Sequence, residues 1–167
     1  MSFHYFSVWL HLVTVAAWLG GMFFLVFVLM PILRHPEIQP TRTILIAQLG
    51  LRFRVFGWVC FAFLFLTGLY NLTALRYGWQ GVLNATLWHG KFGRVLMEKL
   101  SLFGLVLIVS ALHDFWVGPR AIAFLQQSPT APEALKWRNW AAWLGRINFV
   151  LGLLLVAWGL RLVRFQG

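Results

Sequence analysis

Acidic residues are the scarcest class in this sequence. Four aspartates and glutamates stand against 14 lysines and arginines in 167 residues, which gives a formal net charge of +10. Charged residues of both signs make up only 11% of the chain, whereas hydrophobic residues make up 60%. A soluble domain is more highly charged, and a disordered chain has far fewer hydrophobic residues. Both classes are therefore excluded, and an integral membrane protein remains.

Cysteine is nearly absent as well. Cys60 is the single cysteine, so no internal disulfide can form and thiol chemistry indicates no cellular compartment. The sequence contains no Gly-rich phosphate loop, GxSxG, HExxH or CxxC pattern, and we therefore predict no catalytic residues. The basic residues lie between and after apolar stretches, where they meet anionic lipid headgroups. The expected partner is the lipid bilayer, and nucleic acid is not expected.

Four long apolar stretches dominate what is present. They run over about 5–30, 55–75, 94–117 and 140–163. As a helix, each is long enough to cross a hydrocarbon core of about 30 Å. The predicted fold is therefore all-α: a four-transmembrane-helix, up-and-down bundle that forms a single integral membrane domain.

Proline and glycine mark the expected helix ends. The first helix is predicted to end at Met30-Pro31 and the third at Gly118-Pro119, because proline cannot continue an internal turn. The second helix has an amphipathic lead-in from Thr43, and the connection over 120–139 contains an apolar run, AIAFL, that suits the membrane interface. Glycines at 145, 152 and 159 recur every seven residues and predict a packing face on the fourth helix.

An even number of spans places both termini on one side of the membrane. The first and third connections, with the adjoining helix ends, hold eight lysines and arginines, and the other side holds six. The side richer in basic residues is usually cytoplasmic, so this count favours termini outside the cytoplasm. The eight are Arg34, Arg42, Arg52, Arg54, Arg120, Lys136, Arg138 and Arg146, and the six are Arg76, Lys91, Arg94, Lys99, Arg161 and Arg164.

The first span carries a histidine on a recognisable helix face. His11, Thr14, Trp18 and Met22 are spaced by three and four residues, which places them on one side of a helix. An ionisable side chain inside a membrane helix is costly and is a functional-site hypothesis by default. The alternative is that His11 lies close enough to the interface to reach headgroups or water.

The up-and-down topology sorts the other candidates by depth. His4, His11 and His89 belong toward the end that bears the termini, and His113, with Asp114 and Arg54, belongs toward the opposite end. His11 and His113 are therefore not expected to be the two axial ligands of one haem. The histidines nearer the termini suit copper, zinc or haem iron. The alternative is that His4 and His89 lie at the interface without a ligand.

Polar side chains on the second and third helices support these candidates. Lys99 lies inside the third span, where it must pair or face a cavity, unless it extends outward to the headgroups. Asn71 can hydrogen-bond a neighbouring helix. Ser110 is expected to be better placed than Asp114 to contact His113. The soft ligands available for Cu(I) are Met22, Met30, Cys60 and Met97.

Three short runs resemble the copper-resistance protein D (CopD) family. They are HLVTVAAWLGG at 11–21, TGLYN at 67–71, and Gly93-Arg94 followed by Lys99. In that family a similar four-helix unit is associated with copper passage across the bacterial inner membrane. The resemblance covers most of the chain, and it implies an inner-membrane protein of copper transport or homeostasis. His11, with His4 and His89, would then lie on the side from which copper enters.

His11 with Trp18 is also similar to the first helix of HemJ, the haem-binding protoporphyrinogen oxidase family. In HemJ-like proteins a first-helix histidine and a third-helix lysine are associated with haem binding and activity, and His11 and Lys99 occupy the matching places. The proline-arginine pair of the HemJ first helix is missing, because Val26-Phe27 stands there. This departure counts against protoporphyrinogen oxidation.

Two main hypotheses follow. The first is a CopD-type copper protein, with an extracytoplasmic metal-delivery protein and a second copy of the chain as further partners. The second is a membrane redox protein that binds haem b, with His11 as one axial ligand, a histidine such as His89 as the other, and a quinone or oxygen as electron acceptor. A third hypothesis is a membrane subunit that packs against a partner and has no chemistry. The sequence does not distinguish the metal, the direction of transport or the number of copies.

Overall fold

Four long helices form the protein. The computed structural model describes residues 3–38, 41–73 and 78–164. The long helices are α1 (Phe3–Ile32), α2 (Arg42–Leu72), α3 (Lys91–Gln127) and α4 (Pro132–Val163), and each is long and apolar enough to cross a membrane. Two short helices, Gly78–Leu83 and Ala85–His89, lie between α2 and α3. The predicted all-α, four-span fold is confirmed.

The helices run antiparallel in chain order. The start of α1 contacts the end of α2 through Ser7 and Asn71, and the start of α3 contacts the end of α4 through Lys99 and Gly159. We call the end of the bundle that carries these contacts the terminal end, and the opposite end the connection end. α1 packs most closely on α2 and α3 most closely on α4, so the bundle consists of two helical hairpins that face each other.

The core is a layer of apolar side chains contributed by all four helices. The Trp18 ring meets the Phe61 ring edge-on, with 5.1 Å between centroids, and Phe61 meets Phe103 in the same way. Such edge-to-face pairs add to the energy of burial. The buried members of the layer are Trp18, Met22, Cys60, Phe61, Val106, Val109 and Leu151.

Apolar side chains also cover the outside of the bundle. Phe27, Phe65, Ile108 and Val150 are each more than half exposed in the isolated chain. A soluble monomer rarely exposes apolar surface so extensively, whereas lipid requires it of helices that satisfy their own backbone hydrogen bonds. The chain is therefore a multi-pass membrane protein embedded in a lipid bilayer.

The third helix differs from the prediction. It does not end at Gly118-Pro119 but continues to Gln127 through a π-helical turn, Leu112–Val117. Gly118 donates its N–H to the His113 carbonyl, five residues back, and a Cβ atom at Gly118 would lie 2.8 Å from that oxygen. Glycine thus permits the wider turn. Pro119 follows in the first turn of Gly118–Gln127, and because the helix continues through it, its missing N–H leaves one carbonyl of the preceding turn without a backbone donor.

The predicted connection over 120–139 was also wrong. α4 begins at Pro132 rather than near Trp140, so only residues 128–131 link it to α3. The AIAFL run lies within α3 and packs on the start of α4, where Ala121 and Ala134 are both buried. These small side chains let the two helices pack beyond the apolar spans, which the hydropathy pattern does not reveal.

The other helix ends lie close to their predicted positions. α1 extends two residues beyond Met30 to Ile32, since Pro31 falls in its last turn. α2 begins at Arg42, within one residue of the predicted lead-in. α3 begins at Lys91, inside the predicted window. The predicted end of the second span, at about residue 75, lies outside the described residues.

Gly152, one of the three glycines of the predicted packing face, lies in close contact with α1. A Cβ atom at Gly152 would lie 3.0 Å from Leu19 and 3.1 Å from the Trp18 ring, whereas one at Gly145 would have no neighbour within 4 Å. Trp18 is 3% exposed, so its ring has little room to move. The close approach of α1 to α4 therefore depends on Gly152.

Gly152→Val is expected to destabilise the protein by about 1–3 kcal/mol, because the added side chain overpacks the Trp18 ring. Gly145→Val is the matched control, since it places the same branched residue on the same helix in open space. Thermal unfolding in detergent, followed by the loss of the monodisperse peak, compares the two. Equal losses of stability in both variants would show that helix propensity, and not the contact with Trp18, sets the cost.

Candidate functional site

Polar side chains of α1 and α2 pair inside the terminal end of the bundle. The Ser7 hydroxyl donates to the Asn71 side-chain oxygen at 2.8 Å. One turn deeper, the His11 Nδ1 atom lies 2.7 Å from the Thr67 hydroxyl oxygen. Ser7 and Thr67 are buried, and His11 is half-buried. The two pairs form a polar ladder between the helices of the first hairpin.

The Thr67 hydroxyl determines which His11 nitrogen carries the proton. Its oxygen lies 2.6 Å from the Phe63 carbonyl oxygen, to which it donates its only hydrogen. Thr67 must therefore accept a hydrogen bond from Nδ1–H of His11. In the neutral imidazole the Nε2 atom is then an acceptor, and it is the ring nitrogen available to a ligand.

Lys99 adds a positive charge at the same end. Its side chain is half-buried, and its Nζ atom lies 3.6 Å from where a Cβ atom of Gly159 would stand. The ammonium group is close enough to act electrostatically on the His11 imidazole. Glu98, its neighbour in sequence, instead accepts hydrogen bonds from Trp158 and Arg161 on the outer surface. Among the described residues, no carboxylate pairs with Lys99.

The other candidates near the termini are more dispersed. The Nδ1 atom of His4 is buried and has no hydrogen-bond partner in the described part of the chain. His89 ends a short helix and is exposed. Trp18 belongs to the apolar core layer rather than to the polar ladder. No group of three or more His, Cys, Asp or Glu side chains suited to a metal ion occurs within residues 3–38, 41–73 and 78–164.

A second polar cluster lies at the connection end, around Asp114. One carboxylate oxygen accepts from Nδ1–H of His113 at 2.9 Å, and the other accepts from the Trp58 indole at 3.1 Å. The Arg54 guanidinium donates to the Asp114 backbone carbonyl at 3.0 Å. This cluster joins α2 of the first hairpin to α3 of the second.

The sequence analysis predicted the wrong hydrogen-bond partner for His113. Asp114, and not Ser110, contacts the imidazole, whereas the Ser110 hydroxyl accepts from the Asn148 amide at 2.9 Å. The π-helical turn, Leu112–Val117, changes the angle between successive side chains from that of an α-helix. Adjacent residues that an α-helix would separate can therefore meet.

Pro119 explains the bond from Arg54. In the register set by the bond from Gly118 to His113, the next N–H would reach the Asp114 carbonyl, but proline has none. A backbone carbonyl without a donor is costly inside a membrane. Arg54 supplies the missing hydrogen bond from another helix.

Sequence reasoning missed three residues of these clusters. Ser7 lies one turn before His11, Thr67 one turn before Asn71, and Trp58 one turn after Arg54, so helical spacing from each predicted residue was the available signal. Serine, threonine and tryptophan are common in membrane helices, and none of them carries a charge that marks it.

A match to a known family covers most of the chain. The family described as "Domain of unknown function (DUF4149)" matches residues 13–130. The chain belongs to the DUF4149 family. A relative described as "Uncharacterized protein", from Aquifex aeolicus (strain VF5), is 35% identical over 155 residues, which cover 92% of this chain and 90% of the relative. No solved structure matches the chain.

The comparisons assign the chain to neither of the two families that its sequence resembles, CopD and HemJ. Neither the family description nor that of the relative mentions copper or haem. The matched segment contains Thr67, Lys99 and the Asp114 cluster, and it begins two residues after His11. Copper and haem therefore remain hypotheses about function within the DUF4149 family.

Thr67→Val is expected to destabilise the protein by about 1–3 kcal/mol, because it keeps the side-chain shape and leaves a buried imidazole N–H without an acceptor. Thr73→Val is the matched control: Thr73 is also buried, but among the described residues its hydroxyl bonds to the Leu69 carbonyl of its own helix and to no other helix. Thermal unfolding in detergent measures both variants. In ¹⁵N NMR of labelled histidine, Thr67→Val should also mix the two His11 tautomers. An unchanged tautomer would contradict the assigned hydrogen bond.

Proposed function

We propose that this DUF4149 protein binds haem b at the terminal end of the bundle, with His11 as an axial ligand. The observation that carries the proposal is the hydrogen bonding of Thr67: because its hydroxyl donates to Phe63, the His11 proton is assigned to Nδ1, and Nε2 is left as an acceptor. Metal-bound histidines are oriented in this way by a hydrogen bond from the other ring nitrogen.

The number of available ligands favours haem over a bare metal ion. A metal ion bound by protein alone needs about three or four side-chain ligands, and no such group occurs among the described His, Cys, Asp and Glu residues. A porphyrin brings four nitrogen ligands of its own, so the protein needs to supply only one or two axial ligands. His11 meets that smaller requirement.

The charge of the site supports the same ligand. Lys99 is half-buried, and no described carboxylate pairs with it. A positive charge inside a membrane protein requires a counter-charge or water. Haem b carries two carboxylates, and Lys99 is the residue that would pair with one of them. A bare metal cation next to the same ammonium would be repelled.

The protein's own groups have distinct roles in this proposal. Thr67 orients the His11 ring, and Ser7 and Asn71 close the ladder toward the interface. Lys99 would neutralise one carboxylate of the haem. When bound, haem supplies one-electron transfer. His89 as the second axial ligand stays a prediction, and so do a quinone or oxygen as the electron acceptor, a bacterial inner-membrane location and termini outside the cytoplasm.

His11→Ala is expected to abolish the Soret absorption of protein purified after expression with ample haem. His35→Ala is the matched control, because His35 is an exposed histidine near the connection end, and its spectrum should match that of the wild type. Lys99→Met should lower the haem content at equal protein yield. Wild-type protein without a Soret band, or His11→Ala with an unchanged one, would refute the proposal.

Copper handling is the second candidate, and one observation favours it. Met22 and Cys60, two of the soft ligands that suit Cu(I), both lie in the buried core layer between the two polar clusters. Copper entering at His11 would meet them midway through the bundle. An extracytoplasmic metal-delivery protein and assembly of several copies belong to this candidate.

Metal analysis separates copper from haem. If copper is the ligand, protein purified anaerobically with Cu(I) should retain it, and the double variant Met22→Leu, Cys60→Ala should lose most of it. The same variant should leave a haem spectrum unchanged. Retention of no copper by the wild type would eliminate this candidate.

A further inference from the structure

Arg120 contacts two indole rings at the connection end. Its guanidinium carbon lies 4.2 Å from the centre of the Trp116 ring and 5.4 Å from the centre of the Trp137 ring. Trp116 precedes Arg120 by one turn of α3, whereas Trp137 belongs to α4, so cation–π contacts from two helices stabilise one guanidinium. We call these three side chains the Arg120 site.

The Arg120 site offers hydrogen-bond donors and no acceptor. A guanidinium and an indole both donate from N–H, and neither can accept. In the described part of the chain, none of the three side chains donates to a protein acceptor, and no carboxylate forms an ion pair with Arg120. A ligand of this site must therefore be a hydrogen-bond acceptor.

A similar pair at the terminal end shows which acceptor such groups bind in this protein. The Arg161 guanidinium lies 5.0 Å from the centre of the Trp158 ring. One oxygen of the Glu98 carboxylate accepts from the Trp158 indole at 2.6 Å and from Arg161 at 3.3 Å. There an oxyanion satisfies both kinds of donor. The Arg120 site has the same kinds of donor, and no described residue supplies the oxyanion.

The charges around Arg120 favour an anion. Residues 112–146 hold four lysines and arginines and two acidic residues, a net charge of +2 (4 − 2). One of the acids, Asp114, has Arg54 of α2 bonded to its backbone, which adds a further positive charge. The other, Glu133, forms no ion pair with a described residue. An anion is therefore attracted to this surface, whereas a cation is repelled.

The Arg120 site lies where α3 and α4 leave the hydrocarbon. The third apolar stretch ends at about residue 117 and the fourth begins at about residue 140, so Arg120 and Trp137 lie just beyond them. Trp116 lies just inside and is 56% exposed. Tryptophan and arginine at this depth are typical of the headgroup level. The anions present at that level are the phosphates of the lipids.

We propose that the Arg120 site binds the phosphate of an anionic phospholipid such as phosphatidylglycerol. The planar guanidinium donates to two phosphate oxygens, and an indole N–H adds a bond of the kind that Trp158 makes to Glu98. The acyl chains lie on the exposed apolar side of α3, around Ile108 and Leu112. A zwitterionic headgroup carries an ammonium group that the surrounding positive charge repels, so it binds more weakly.

The Arg120 site shares no residue with the proposed haem site. Either can therefore fail without the other, and lipid binding is measured on the protein without haem. Native mass spectrometry of the delipidated protein in detergent, titrated with dioleoylphosphatidylglycerol or dioleoylphosphatidylethanolamine, gives the affinity of the first bound lipid. The wild type should bind phosphatidylglycerol about tenfold more tightly than phosphatidylethanolamine.

Arg120→Gln should weaken the binding of phosphatidylglycerol about tenfold, because it removes the charged donor of the site. Arg146→Gln is the matched control, since it removes the same charge from the same end of the bundle. Arg146 contacts only the Trp143 ring of its own helix among the described rings, at 5.4 Å, and this variant should bind as the wild type does. Arg120→Lys keeps the charge but loses the planar donor pair, and it should also weaken binding several-fold.

Thermal unfolding before lipid is added establishes that each variant is folded. If Arg120→Gln does not fold, Trp137→Phe replaces it, because this change keeps an aromatic ring and removes one indole N–H. Equal affinity of the wild type for the two lipids would refute the proposal. So would equal losses in Arg120→Gln and Arg146→Gln, because binding would then follow net charge alone. Displacement of the bound lipid by an equal concentration of glycerol 3-phosphate would assign the site to a soluble phosphate ester instead.

Discussion

Hydrogen bonding between helices is the constraint on which the interior of this protein depends. Lipid hydrocarbon offers no donors or acceptors, so a polar side chain within the bundle must be satisfied by its own helix or by another helix. His11 bonds across to Thr67, Asn148 to Ser110, and Asp114 to Trp58. These bonds join α1 to α2, α3 to α4, and α2 to α3 in turn. The same bonds that satisfy the polar groups therefore also determine how the two hairpins face each other.

Two of the three half-buried histidines in the described part of the chain are held alike. His11 at the terminal end and His113 at the connection end each donate from Nδ1 to a fixed oxygen, so each presents Nε2 as its free nitrogen. Between them lies the apolar layer, in which Val106 is completely buried and Phe61 is 4% exposed. The layer separates the polar clusters, which differ in charge: Lys99 has no described carboxylate partner, whereas Asp114 supplies a carboxylate beside Arg54. A ligand carboxylate is therefore expected at the terminal cluster and not beside Asp114.

The four spans could be predicted because a run of about twenty apolar residues is visible in the sequence and is long enough to cross the hydrocarbon core as a helix. The candidate residues could be predicted for a similar reason, since a charge or imidazole in an apolar helix is conspicuous. Their partners could not. Which side chain meets His113 depends on the rotation of α3, and the π-helical turn, Leu112–Val117, changes that rotation. The continuation of α3 and the early start of α4 were missed because Gly118-Pro119 is a usual stop signal, and because the packing of Ala121 and Ala134 leaves no hydropathy pattern.

Pro119 accounts for several of the differences between the predicted and the observed contacts of α3. Within a helix that continues, it removes the donor for the Asp114 carbonyl, and Arg54 of α2 takes that place. An arginine at the entrance of a span is thereby held against α3 instead of extending to the headgroups. The wider turn that accommodates the proline also brings the Asp114 carboxylate to His113 and Trp58. A proline that sequence rules assign to a helix end thus produces, inside a helix, the polar contact that joins the two hairpins at the connection end.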